Sequence, residues 1–264
     1  MRPLRSALIA AALSLLWGCG PEDECFKARS GDEAECTVFE GTAEWTLSPD
    51  QPIANLERMC AASCIDVPRA PILVAGYSDL REAPLLAKFR NIQRLRIDVA
   101  RLVDLRGLER VNVIEFLDFQ HVGAQRASFR SLDGLGDREV MSISFRGWTG
   151  LDSFDGSRFD ELLDFSTDNA ALRVIDLSTQ AMRSISVVGE QELTSLQVGT
   201  GTMKGLSIMA TSLTEFSWKP GLKIQSIYVA QNESLSSCLV DDFVADTRAS
   251  PVSSVVAANN GPCP

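Results

Sequence analysis

Ile185-Ser186-Val187, Leu206-Ser207-Ile208 and Ile227-Tyr228-Val229 repeat one short phrase, two apolar residues around a third, at spacings of 21. The phrase also reads upstream, as Ile72-Leu73-Val74, Leu95-Arg96-Ile97, Leu117-Asp118-Phe119, Ile143-Ser144-Phe145 and Leu163-Asp164-Phe165. Downstream it recurs in degenerate form as Val255-Val256-Ala257. Successive first members lie 23, 22, 26, 20, 22, 21, 21 and 28 residues apart. A second apolar position follows most copies, at Leu80, Leu102, Leu151, Leu172, Leu193, Leu213 and Leu235. Several coils add a third, at Phe154, Ile175, Leu196 and Phe216. Alternation within a triplet is the period of a strand, because successive side chains leave opposite faces. A fixed period near 22 then stacks one such strand per repeat.

No repeat carries a ten-residue helical period after its strand, and Asn-Gly or Asp-Gly turns do not punctuate the triplets at hairpin distances. A helix-backed horseshoe and a hairpin sandwich are therefore disfavoured. The expectation is a mainly β, single-domain parallel β-solenoid of about nine coils of roughly 22 residues. At one strand spacing per coil the rod would be about 40 Å long.

The 264 residues hold 35 acidic and 25 basic side chains, for a net charge of −10. That balance speaks against a nucleic-acid groove, which needs a basic patch. One histidine, His121, leaves no site that needs two imidazoles.

Arg2 and Arg5 precede a short apolar run, Ala7 to Leu13, then Leu15-Leu16, the make-up of a secretory signal. The run is too short to span a bilayer. It ends in Leu16-Trp17-Gly18-Cys19, which resembles the lipobox of bacterial lipoproteins, with a bulkier Trp17 than usual. The resemblance implies cleavage of residues 1–18 and acylation of Cys19, which makes the membrane a partner through the lipid. Gly20, where that family uses aspartate for inner-membrane retention, implies the outer membrane of a Gram-negative cell envelope. Residues 19–35 would be the lipidated cysteine and a short tether, and loss of Arg2 and Arg5 takes the mature charge from −10 to −12.

The remaining six cysteines are Cys25, Cys36, Cys60, Cys64, Cys238 and Cys263. An even count in an exported chain reads as disulfides. A zinc reading of Cys60 and Cys64 has no nearby histidine or second cysteine pair of that spacing. Residues 36–264 would form the solenoid, with an N-terminal cap over 36–67 and a C-terminal cap over 238–264. Ser48-Pro49-Asp50-Gln51 is a capping box with proline just inside, opening a helix from about Pro49 to Cys60. Cys25, Cys36, Cys60 and Cys64 would staple this end, in any of three pairings. At the other end Leu239, Val240, Phe243 and Val244 mark one face of a helix from Cys238 to Arg248. A bond between Cys238 and Cys263 would close a 25-residue loop and stabilise by roughly 3–4 kcal/mol.

The triplets resemble leucine-rich repeats and, more closely, the receptor L domain, which implies a right-handed β-helix. The leucine-rich pattern wants asparagine three residues after the second strand position, and Asn232 and Asn260 match it. Elsewhere that place holds Tyr77, Ala100, Val122, Trp148, Asp168, Glu190 or Thr211. A regular asparagine ladder is therefore not expected, and Trp148 would wedge into its turn. Neither resemblance implies a catalytic residue or a cofactor.

Parallel β-helices also carry polysaccharide lyases and hydrolases. The outward centre of the strands reads Leu73, Arg96, Asp118, Ser144, Asp164, Ser186, Ser207 and Tyr228. Asp118 and Asp164 fall two coils apart, about 9–10 Å, near the upper limit for an inverting carboxylate pair. Charged strand faces are usually just solvated, and the arginines can pair with the aspartates. His121 reads as a surface or turn residue; Trp148 and Trp218 are candidates to stack on sugars. No Gly-x-Ser-x-Gly elbow or glycine-rich phosphate loop is present. The chain thus reads as a non-enzymatic, lipid-anchored envelope protein offering a surface to a protein or glycan. The alternative is a carbohydrate-active β-helix enzyme using Asp118 and Asp164.

Overall fold

The computed structural model describes residues 37–39, 43–49, 62, 64–83, 85–109, 111, 113–135, 139–249 and 254–263. The signal peptide, Cys19, Cys25, Cys36, Cys60 and nearly all of the expected N-terminal helix lie outside the described residues. The strands are β1 (Thr37–Val38), β2 (Trp45–Leu47), β3 (Ile65–Val74), β4 (Phe89–Asp98), β5 (Val113–Gln120), β6 (Glu139–Arg146), β7 (Ser153–Asp155) and β8 (Asp164–Asp168). They continue as β9 (Val174–Leu177), β10 (Ser184–Val188), β11 (Ser195–Val198), β12 (Thr202–Met209), β13 (Glu215–Trp218), β14 (Lys223–Ala230) and β15 (Ser254–Ala258). One α-helix, α1 (Ser237–Thr247), lies between the last two.

The strands form two wholly parallel sheets. An 11-stranded sheet runs β1-β3-β4-β5-β6-β8-β10-β12-β14-β15, with β2 also on β3; a 4-stranded sheet runs β13-β11-β9-β7. The protein is a parallel β-solenoid. The nine triplets all supply strands of the large sheet, but the winding amounts to about seven turns rather than nine. Nine strands leave eight connections, and α1 occupies the last, between β14 and β15.

The register corrects one triplet. Ile143 faces Phe165, and Phe165 faces Ile185, so the core pair of that coil is Phe165 and Thr167, not Leu163 and Phe165. The spacings around it become 22 and 20. Thr167 is polar yet buried, which hid it from a hydrophobic pattern. Its hydroxyl donates to the Glu190 carboxyl one coil later. A buried hydroxyl with a partner is tolerated where an orphan is not.

A second periodic device closes each turn. The residue four after the first core position has positive φ at Gly76, Gly147, Asn169, Gly189, Ala210, Gln231 and Asn259. Only glycine adopts that backbone freely. Gly147 has no room for anything else, since a Cβ there would sit 2.0 Å from the His121 carbonyl oxygen. Only two coils depart from this rule: Val99 and His121 stand at that place.

The next residue turns inward and works as the asparagine ladder does. Asn232 Oδ1 accepts from Thr211 N at 3.1 Å and Thr211 Oγ1 at 2.8 Å, and its Nδ2 donates to the Ile208 and Ala230 carbonyls. Asn260 Oδ1 accepts from Asn232 Nδ2 at 3.1 Å, and Asn260 Nδ2 donates to the Val229 carbonyl. Glu190, fully buried, accepts from Ala170 N at 2.7 Å and Leu172 N at 3.1 Å. A mixed ladder of glutamate, threonine and asparagine therefore replaces the uniform one. Trp148 does not wedge inward; Thr149 takes the interior place and donates to the Ala170 carbonyl.

The core is a stripe of leucine, isoleucine and valine with a phenylalanine stack at its centre. Phe119 and Phe145 stack at 4.9 Å, and Phe154 meets Phe165 at 4.7 Å across the two sheets. At the C-terminal end Phe243 of α1 covers Phe216 at 4.6 Å and Trp218 at 5.0 Å. Cys238 and Cys263 are disulfide-bonded. Cys64 is also in a disulfide, with a partner outside the described residues. Thus α1 seals one end of the stack, where bare strands and core would otherwise meet water.

Candidate binding face

The large sheet turns one face to the core and presents the other as a ladder of aligned side chains. Its N-terminal part is charged and internally paired. Arg94 and Arg96 approach Asp118 at 3.7 and 3.8 Å, Arg96 bonds Glu44 at 2.8 Å, and Arg94 lies over the Phe116 ring. The middle is a field of small hydroxyls. Ser144, Ser166, Ser186 and Ser207 run in register across consecutive strands, beside Ser142, Ser184 and Ser226. The C-terminal part is apolar, with Tyr228 beside Val256.

The corrected register separates the two carboxylates that sequence alone set in one column. Ser166, not Asp164, stands in line with Asp118. Asp164 lies two strands across and two residues along, about 12 Å away by strand geometry. An inverting pair needs about 6.5–9.5 Å. Asp164 is moreover engaged: Arg183 holds both its oxygens and Ser184 Oγ donates to it at 2.7 Å. Asp118 faces the two arginines instead, so neither carboxylate is free.

A further column closes the face along the turn: Asp98, Gln120, Arg146 and Asp168 follow one another in register. Just beyond it, His121 Nε2 meets the Gln125 carbonyl at 2.7 Å. The imidazole is folded over Gly123, where a Cβ would lie 2.4 Å from Nε2. Val122 is 97% exposed and Trp148 48% exposed. Trp218, the other sugar-stacking candidate, is packed into the cap.

Two electrostatic features stand out elsewhere. Burial pushes the Glu190 carboxyl above the usual glutamate range, against the pull of its bonds from Thr167, Ala170, Leu172 and Ala171. The Arg81 side chain holds Asp79, a half-buried turn residue, below the usual range. Glu190 is part of the turn scaffold, and sequence reading passed over it because glutamate is not the residue expected there.

Among the described residues no cluster of three or more His, Cys, Asp or Glu is placed to hold a metal ion. No helix among them is long and apolar enough to cross a membrane. No protein-family model, curated protein or solved structure matches the chain.

Proposed function

We propose that this is a non-enzymatic, lipid-anchored protein of a bacterial cell envelope that presents the outward face of its large sheet to a glycan or protein. Acylation at Cys19, placement at the outer membrane and independence of any cofactor belong to the same proposal. The observation that carries it is the face itself: a field of aligned serines, with Asp118 and Asp164 beside it already paired to arginines. Small hydroxyls let a flat ligand approach the backbone closely and give it donors and acceptors at the strand spacing. The enzyme alternative loses its geometric support with the separation of Asp118 from Asp164.

The test uses the intact chain expressed in a Gram-negative host with a palmitate analogue. Label should enter the wild type and not Cys19→Ser; label in that variant would end the anchoring proposal. The purified chain should co-sediment with isolated envelope glycan, and Ser186→Arg with Ser207→Arg should abolish it. Sedimentation unchanged by those two bulky cations would end the proposal for the face. Turnover of any acidic or neutral glycan that disappears in Asp118→Ala would restore the enzyme reading.

A further inference from the structure

We propose that the rim of the sheet at Trp148 and Arg146 is a subsite for a carboxylated sugar, an inference that rests on the glycan form of the preceding reading. The starting point is the longest early coil, 26 residues from Leu117 to Ile143. Its turn lacks the left-handed residue of most other coils and instead bulges outward as His121-Val122-Gly123. That bulge sits directly on the next coil, with His121 N donating to the Arg146 carbonyl at 2.9 Å. Val122 and Trp148, both exposed, hold in their coils the place that Ala170 and Glu190 fill inwardly in the next two.

The Trp148 indole leaves about half its surface to water and so offers an apolar plane to a ligand. Beside it the Arg146 guanidinium is exposed and has no ion-pair partner among the described residues. Its two neighbours in the column are Gln120 and Asp168. Asp168 is already engaged by Asn169 Nδ2 at 2.6 Å.

These groups select a chemistry. The indole offers a flat apolar surface to the C–H face of a sugar ring. Arg146 offers a fork that matches a carboxylate through two parallel hydrogen bonds. Gln120 offers a planar amide that both donates and accepts, suited to vicinal hydroxyls. A folded protein partner fits less well, because two exposed apolar side chains fall far short of a stable interface.

The test titrates the intact chain, by calorimetry, with oligogalacturonate and with the same oligomer after carboxyl reduction. The wild type should bind the acidic form more tightly. Arg146→Gln should lose about tenfold in affinity for the acidic form and little for the reduced one. Trp148→Ala should lose both, while Val174→Ala, exposed on the small sheet away from the face, should bind as the wild type does. Equal wild-type affinity for the two oligomers, or binding to neither, overturns the subsite. So does Trp148→Ala binding as the wild type does. If Ser186→Arg with Ser207→Arg abolishes envelope sedimentation while Trp148→Ala leaves it intact, the sheet-face proposal stands and the rim subsite falls.

Discussion

The coils from β8 to β14 and the single coil between β5 and β6 are built from the same triplet, yet they end their strands differently. In the first group each strand runs into a left-handed residue and then a buried one, Asn169 with Ala170 after β8 and a polar residue thereafter: Gly189 with Glu190, Ala210 with Thr211, Gln231 with Asn232. Glu190 and Asn232 bond backbone groups of the preceding coil, and the spacing stays at 20 or 21. In the second, His121 and Val122 hold those two places, four residues are added, and the ladder is broken. The lesson is that the apolar triplet, which both share, does not by itself set the turn that follows it. At His121 and Val122 the chain bulges and Val122 reaches the surface, whereas Val99, which holds the same place as His121, is buried in a coil of ordinary length.

Breaking the regular turn should have the largest effects. Gly147→Ala sets a methyl against the His121 backbone carbonyl and forces a side chain into positive φ. We expect a loss of at least about 3 kcal/mol in chemical denaturation. Glu190→Gln comes next. A carboxyl oxygen, ionised or protonated, can still accept from Leu172 N; an amide nitrogen cannot, so about 1–3 kcal/mol should go. The pH dependence has a definite sign. Burial raises the folded pKa of Glu190, so its contribution is full below the ordinary glutamate pKa and is lost as pH rises through the raised value. The gap in stability between wild type and Glu190→Gln should therefore be widest near about pH 4 and narrow above it. Asp79, whose pKa is lowered, has the opposite sign but is common to both proteins and cancels.

Smaller changes sharpen the contrast. Ala210→Gly relieves a non-glycine residue of its positive φ and should stabilise by about 0.5–1 kcal/mol, measured as a raised Tm. Val122→Asn, in the bulged turn and 97% exposed, should change stability by less than about 0.5 kcal/mol. A large loss there would mean that the bulge is packed as tightly as the regular turns.

Much of this architecture was legible because strand alternation and a near-constant period are one-dimensional signals. The triplets, the buried leucines that follow them, the C-terminal helix and the Cys238–Cys263 pair all follow from spacing and residue type. What misled was a residue whose partner lies a coil away. Thr167 does not look like a core residue until Glu190 is seen to accept its hydroxyl. That slip of two residues put Asp164 in line with Asp118 and suggested a carboxylate pair where none is formed. The turn ladder was hidden for the same reason, since glutamate, threonine and asparagine share a role that only their hydrogen bonds reveal. Trp148 was assigned to the interior by analogy, because its exposure depends on the bulge beside it.

By itself, then, the sequence determined that the chain winds as a parallel stack, where eight of the nine triplet strands fall and how the C-terminal end is closed. Periodicity encodes these through local side-chain direction. Only the tertiary structure decided which coil slips, which polar residues the core accepts and which carboxylates are left free. Those outcomes depend on contacts between residues about one coil apart, where a partner's geometry, not a residue's own hydrophobicity, sets its place.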